Sequence, residues 1–242
     1  MLPTTTTNDR KLGHGLTNKR WLYCISFCGC ISAVFLIISL AASRNIPPTR
    51  PWWDAETVKT HYSTYQKGTQ AATIFLFLSG ALFLPYSTAI TSQIRLIPDL
   101  NPAIADLQLA SAIAGVWFWM IGAILMSLLS FRDYSAEMIQ LINDAMWMSL
   151  WLNWPMFSMQ FWTIAWAIFA DRSPDPVFPK IMGWVNLLSP FVLVLGSGIH
   201  IHHTGPFAWN GGLVFWPTLV VFGAEVNGSC WCMLRNIRRD RY

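Results

Sequence analysis

Charged side chains are scarce in this sequence. Only 12% of its residues are Asp, Glu, Lys or Arg, whereas ordinary soluble domains carry roughly 25%. None occurs in residues 21–43 or 68–94, and each run is longer than the ~18 residues that indicate a membrane-spanning helix. A large soluble core would require shorter apolar runs interrupted by charged faces. The scarcity of charge therefore excludes an ordinary soluble domain and predicts an integral membrane protein.

The sequence also lacks the short motifs of the common enzyme classes. It contains no Walker sequence, no glycine-rich dinucleotide loop, no HExxH and no GxSxG. The basic residues, with a net charge of +4, lie at the ends of apolar segments and form no stripe with exposed aromatic residues, so we expect no nucleic-acid partner. We expect no cofactor, and the sequence leaves an enzymatic activity open while favouring none.

Cysteine is present but forms no disulfide framework. Three cysteines lie inside the first apolar segment and two near the end of the last, namely Cys24, Cys28, Cys30, Cys230 and Cys232. Their spacing matches no standard zinc motif. Thiols in a membrane span usually act as small hydrophobic groups. We therefore expect inert or palmitoylated thiols.

Six apolar segments predict the fold class, an all-α transmembrane bundle. The predicted spans are roughly residues 21–42, 70–92, 107–131, 145–170, 181–201 and 207–234. A polar tail (residues 1–20) precedes them and a basic tail (residues 235–242) follows them. Pro206 is expected to start the last helix. Four prolines lie well inside spans and would bend their helices, either as plain packing geometry or around a cavity: Pro85, Pro155, Pro190 and Pro217.

Basic residues near the span ends predict the orientation. Each tail carries four of them: Arg10, Lys11, Lys19 and Arg20 at one end, and Arg235, Arg238, Arg239 and Arg241 at the other. Both tails are therefore expected in the cytoplasm, which requires an even number of spans. The connector of residues 43–69 also carries four basic residues and opposes this assignment.

The most informative ionisable residue is Glu225, which lies inside the sixth predicted span. A carboxylate at that depth costs on the order of 3 kcal/mol, so we expect a neutral, paired or water-facing acid. By depth, its candidate partners are Gln160, Thr163, Asn186, Tyr86 and Thr88. The acid either carries a proton or binds a substrate, with Gln160 and Asn186 as the accompanying candidates, or it joins helices as a structural hydrogen-bonding group.

A second polar set lies on the opposite rim of the predicted bundle. It contains Asp144, His200, His202 and His203, with His61 in the connector. Imidazole and carboxylate groups are ligands for zinc, copper or iron. However, positions two apart on a helix face about 200° away from each other, so the His-x-His-His spacing is poor. We predict that this set holds no stoichiometric metal.

Two segments carry a resemblance to a known family: the turn of residues 204–211, TGPFAWNG, and residues 176–180, PVFPK. They resemble a family of uncharacterised bacterial integral membrane proteins. The resemblance implies a bacterial inner-membrane location and brings no known activity or cofactor.

Three functions remain open at this point. The first is a membrane protein that binds or moves a small apolar or weakly acidic molecule, which Glu225 and the prolines favour. The second is a non-catalytic subunit of a larger membrane complex, or a homo-oligomer. The third is a metal or redox enzyme that uses the rim of His and Asp residues. In each case the lipid bilayer is the expected surrounding partner.

Overall fold

The computed structural model describes residues 7–239, including the side chains of residues 18–239. This part of the chain is 77% helical and has no strand, which confirms the all-α prediction. The helices are α1 (Thr7–Ala42), α2 (Ala55–Thr64), α3 (Gln66–Ile94), α4 (Pro102–Gly115), α5 (Trp117–Phe131), α6 (Ala136–Trp151), α7 (Trp154–Ala170), α8 (Lys180–Leu193), a 3₁₀ helix (Val194–His200) and α9 (Phe215–Arg238).

Four helical segments are long and apolar enough to cross a membrane. They are Asn18–Ala42, Gln66–Ile94, Pro102–Phe131 and Lys180–His200. Large apolar side chains also face outward, including Trp166, Phe191 and Val220 at 67%, 63% and 69% exposure. Such a surface is suited to lipid rather than to water. The described structure therefore supports a membrane-embedded helical protein.

The helices of residues 102–131 and 136–170 are each interrupted, and one side chain joins the two breaks. The first break separates α4 from α5 at Val116, and the second separates α6 from α7 at Leu152 and Asn153. Asn153 Nδ2 donates to the Gly115 carbonyl at 2.9 Å. Pro155 stands in the first turn of α7, where its missing N–H costs nothing. Pro155 is thus at the start of a helix and does not bend a continuous one, contrary to the expectation from the sequence.

The last helix begins later than expected. Residues 206–214 form consecutive turns, and α9 starts at Phe215 rather than near residue 207. The Gly211 N–H donates to the Ala208 carbonyl at 2.7 Å, and a Cβ at Gly211 would lie only 2.3 Å from the Pro206 carbonyl oxygen. Pro206 therefore belongs to the turn and does not start the helix, and Pro217 lies in the first turn of α9 instead of well inside the helix. At the other end of the chain, α1 already begins at Thr7 within the predicted tail.

Serine side chains tie α1 closely to α3. Ser32 Oγ donates to the Ser79 carbonyl at 2.7 Å, and Ser79 Oγ donates back to the Ser32 carbonyl at 2.8 Å. Further along α1, Ser39 Oγ donates to the Ala72 carbonyl at 2.8 Å. Small polar residues of this kind allow helix backbones to approach and hydrogen-bond within a membrane.

Hydrogen bonds between distant segments close one end of the bundle, which we call the Asn236 end. Asn236 Nδ2 donates to the Val177 carbonyl at 2.7 Å and to Gln93 Oε1 at 3.1 Å. Lys180 Nζ donates to the carbonyls of Ile168 and Asp171 at 2.6 and 2.7 Å, where α7 ends. These bonds hold the end of α9 beside the ends of α3 and α7.

Asp171 anchors the 171–180 connector at this end. Its carboxylate accepts from the backbone N–H of Ser173 at 3.0 Å and of Val177 at 2.9 Å. Burial opposes the charged form, but these hydrogen bonds and the Lys180 charge outweigh it and lower the pKa of Asp171. The connector is therefore held in place by a carboxylate that favours its ionised form.

Candidate functional site

Glu225 is fully buried and both of its carboxyl oxygens have partners. The Tyr86 hydroxyl donates to Oε2 at 3.3 Å from α3, and Ser229 Oγ donates to Oε1 at 2.9 Å from the next turn of α9. Tyr86 is one of the partners that depth alone predicts, whereas Ser229 is not. The arrangement is a closed set of hydrogen bonds between two helices.

A glycine in α1 makes room for this junction. A Cβ at Gly29 would lie 2.4 Å from Tyr86 Cδ2 and 2.8 Å from Cys230 Sγ, distances that real Cβ atoms do not show. Cys230 Sγ in turn donates to the Ser26 carbonyl at 3.2 Å. The backbone of α1 thus approaches α3 and α9 at the depth of Glu225, and only a residue without a side chain allows it.

Gln160 and Asn186 are also fully buried, but no hydrogen bond among the described residues joins either to Glu225. Asn186 Nδ2 donates to the Met182 carbonyl at 2.9 Å on its own helix. Its Oδ1 and both polar atoms of the Gln160 side chain have no partner in the described structure. The three residues singled out in the sequence therefore do not form one hydrogen-bonded site.

The His/Asp rim does not assemble into a ligand set. His200, His202 and His203 are exposed, and Asp144 Oδ1 accepts from Asn143 Nδ2 at 3.2 Å. Within residues 18–239, no group of three or more His, Cys, Asp or Glu side chains is placed to hold a metal ion. The ring Nε2 of His61 lies 3.2 Å from the Ser43 carbonyl oxygen, and burial lowers the pKa of His61 despite this bond.

An apolar cavity of about 70 Å³ lies between the helices, on the side of the bundle away from Asn236. A single water needs only ~10–15 Å³ by the same kind of measure. Six helices line the cavity, namely α1, α5, α6, α7, α8 and α9. The lining residues are Leu36, Leu40, Phe118, Trp147, Leu150, Trp151, Trp154, Phe157, Leu193, Phe215, Thr218, Leu219 and Phe222. None of these residues is charged, and neither Glu225 nor Gln160 is among them.

A layer of aromatic rings forms the floor of the cavity. Phe157 and Phe222 line it directly, with ring centroids 5.5 Å apart at 83°. Beneath them, the ring centroid of Phe83 lies 4.7 Å from that of Trp119 and 6.1 Å from that of Phe222. Such edge-to-face, tilted and stacked pairs contribute packing beyond their buried area. The layer separates the cavity from the Glu225 junction, which lies one turn further along α9.

Two polar atoms of the lining have no hydrogen-bond partner in the described structure. They are Trp151 Nε1 and Thr218 Oγ1, and both are buried. A buried indole N–H usually has a partner. Trp151 stands at the end of α6, immediately before the helix break, and Thr218 lies in the first turn of α9. The cavity thus combines an apolar wall with a small capacity for hydrogen bonding.

A polar network covers the cavity at the bundle end opposite Asn236. Trp147, which lines the cavity, donates from Nε1 to Thr49 Oγ1 at 2.7 Å, and Thr49 Oγ1 donates to Asn143 Oδ1 at 3.0 Å. Tyr62 also donates to Asn143 Oδ1 at 2.8 Å. Trp209, from the turn before α9, stacks on Trp147 at 6.4 Å and donates to the Thr49 carbonyl at 2.6 Å.

Comparison of the chain with family models, curated proteins and solved structures gives no match. The resemblance of residues 204–211 to bacterial membrane proteins therefore stays a prediction. The function has to be argued from the geometry alone.

The prolines suggested a cavity as one alternative, but sequence reasoning identified neither its lining nor its cover. A signal for the cavity exists, since Trp147, Trp151 and Trp154 recur at helical spacing and continue to Phe157. The pattern alone does not indicate a cavity, because aromatic residues at helical spacing are equally typical of a filled core. No local signal connects Thr49 with Asn143 or Trp209, which are far apart along the chain.

Proposed function

We propose that this protein is a six-span integral membrane protein that binds a small apolar molecule in the aromatic-lined cavity. The observation that carries the proposal is the cavity itself, a cluster of apolar side chains from six helices around free volume. Ligand sites in helical membrane proteins commonly lie between bent or broken helices, and here a break in α6–α7 borders the cavity.

The six-span arrangement adds two crossings to the four apolar segments. Residues 136–170 would cross as α6 and α7 together, because neither helix alone reaches 18 residues. The 24 residues of α9 extend from the cavity wall at Phe215 to Asn236, which is bonded to the end of α3. With the two basic tails, this favours N- and C-termini in the cytoplasm. The resemblance noted above favours a bacterial inner membrane.

The lining favours an apolar molecule over a weakly acidic one. No basic side chain faces the cavity, and an anion would lose its hydration there without compensation. Trp151 Nε1 and Thr218 Oγ1 favour a ligand with one hydrogen-bonding group on an apolar body. A metal-based reaction at the rim has less support, since the histidines there do not converge. A purely structural subunit of a complex remains the alternative, and it predicts no ligand.

The proposal is tested by heavy-atom quenching of tryptophan fluorescence. Purified protein is titrated with 4-bromophenol, an apolar ring with one hydroxyl group. We expect a saturable quenching component from Trp147, Trp151 and Trp154, which all line the cavity. Leu193→Phe, which fills the cavity, should remove that component.

The matched control is Leu188→Phe on the same helix, because Leu188 is 56% exposed and faces outward. This variant should quench like the wild type, including the non-saturable part that arises from probe dissolved in the micelle. If the wild type shows no saturable component, or if both variants behave alike, the cavity does not bind this class of molecule. That result would favour the alternative function, a purely structural subunit of a complex.

A further inference from the structure

One face of α9 is exposed and follows the spacing of a helix–helix seam. Its exposed residues are separated by four, four, three and four positions: Trp216, Val220, Ala224, Asn227 and Trp231. An average spacing of about 3.5 to 4 residues is the pattern of a straight stripe that packs against another helix. Within this chain, however, α9 turns this stripe away from its neighbours.

Asn227 is the polar residue of this otherwise apolar stripe. It lies about 5 Å from the midpoint between Trp216 and Trp231, at ~1.5 Å per residue, and is therefore within the hydrocarbon layer of the proposed arrangement. Its Nδ2 donates to the Gly223 carbonyl at 2.7 Å, on its own helix. A carboxamide has two donor hydrogens and an acceptor oxygen, so its oxygen and second hydrogen still need partners. Lipid chains offer none.

The surface beside Asn227 is open to a second helix. A groove of about 310 Å³ lies between α1 and α9, lined by Ala33, Val34, Ile37, Gly223 and Asn227 among others. A Cβ added at Gly223 would meet no atom within 4 Å. The small residues Gly223 and Ala224 would let another backbone approach closely, as small residues do in membrane helix pairs.

We propose that α9 packs against α9 of a second copy of this chain, with the two Asn227 carboxamides hydrogen-bonded to each other. A twofold axis along the membrane normal brings each residue of α9 opposite the same residue of its copy. A second copy is therefore the partner that presents a donor and an acceptor at the depth of Asn227. A carboxamide is complementary to itself, and a single Asn in an apolar seam specifies such pairing.

This inference rests on the proposed crossing of α9 but not on the proposed ligand. The groove shares Leu36, Leu219 and Phe222 with the cavity, whereas Asn227 lines the groove and not the cavity. The test is stepwise photobleaching of the full-length protein, labelled once per chain, in phosphatidylcholine vesicles over a series of protein densities. We expect two-step bleaching to dominate for the wild type. Asn227→Leu should raise the density at half-dimerisation at least tenfold, and Gly223→Phe should do the same by filling the groove.

Thr88→Leu is the matched control, because it removes an exposed hydroxyl from α3 that bonds only within its own helix, to the Leu84 carbonyl. It should dimerise like the wild type. A second measurement uses a photo-crosslinking amino acid at Val220, which is expected to yield a homodimer adduct. One-step bleaching at every density, dimers unaffected by Asn227→Leu, or a Val220 adduct with lipid or with a different protein alone would each overturn the proposal.

Discussion

The hydroxyl group of Tyr86 in α3 donates a 3.3 Å hydrogen bond to Oε2 of Glu225 in α9. Together with Ser229 on the other oxygen at 2.9 Å, it gives each carboxyl oxygen a hydrogen-bond donor. The group lies beneath the aromatic floor of the cavity rather than in its wall. The hydrogen bond links α9 to α3, and the proposed ligand site does not include Glu225.

We predict that Glu225→Gln is close to the wild type in stability, whereas Glu225→Leu is clearly destabilised. The carboxamide keeps the size of the side chain and an acceptor oxygen, but Leu leaves the buried Tyr86 hydroxyl without a partner. A buried unsatisfied group costs about 1–3 kcal/mol. Thermal unfolding in detergent measures the difference, and Tyr86→Phe in the Leu background should recover part of the loss. A Gln variant that folds normally but loses bromophenol binding would instead make Glu225 a functional acid.

Sequence reasoning identified what depends on local composition and missed what depends on distant contacts. The apolar runs indicate α1, α3, α4–α5 and α8. Matching depth in the membrane predicts Tyr86 as one of the possible partners of Glu225. The start of α9 was misplaced because residues 206–214 are as apolar as a helix, while their turns are stabilised by bonds such as Trp209 Nε1 to the Thr49 carbonyl. That bond joins positions 160 residues apart, so no local pattern predicts it.

A second prediction concerns the close approach of α1. Gly29→Ala should destabilise the protein by about 1–3 kcal/mol, because the added methyl group would overlap Tyr86 and Cys230 in a packed core. Gly212→Ala is the control, since a Cβ there meets nothing within 4 Å. Both variants are compared by thermal unfolding. Equal stability of the two would show that the helices can separate at Gly29 without cost.

A third prediction concerns the cover of the cavity. Trp209→Phe removes the hydrogen bond to the Thr49 carbonyl but keeps an aromatic ring against Trp147. We expect a loss of about 1 kcal/mol and faster hydrogen exchange in residues 201–214. Trp166→Phe serves as the control, because Trp166 is 67% exposed and no described hydrogen bond involves its indole. Unchanged exchange in the Trp209 variant would mean that other contacts hold the turn.

A fourth prediction follows from the lowered pKa of Asp171. A group with a depressed folded pKa contributes stability above its unfolded pKa, ~3.9 for Asp, and loses it as the pH falls through the folded value. Asp171→Asn should therefore be less stable than the wild type at pH 7, by about 1–2 kcal/mol, and the gap should narrow below about pH 4. Asp106→Asn removes a carboxylate from the exposed pair with Arg95 and leaves the Asp171 anchor intact. Unfolding curves of the wild type and the variants at pH 7 and at pH 3 measure this difference in stability. A difference between the wild type and Asp171→Asn that widens in acid would contradict a lowered pKa of Asp171.

The last prediction concerns the number of crossings. In the six-span arrangement, reporter fusions after residues 175 and 242 report the cytoplasm, and a fusion after residue 205 reports the opposite side. The physical reason is that the basic tail after α9 favours the cytoplasm, while the turn that carries Trp209 packs with Thr49 at the other end of the bundle. The fusion after residue 205 tests α8 and α9 together, because it changes side relative to both of its neighbours. If residues 205 and 242 report the same side, α9 does not cross. If residues 175 and 205 report the same side, the segment Lys180–His200 does not cross, although its length and apolarity suffice.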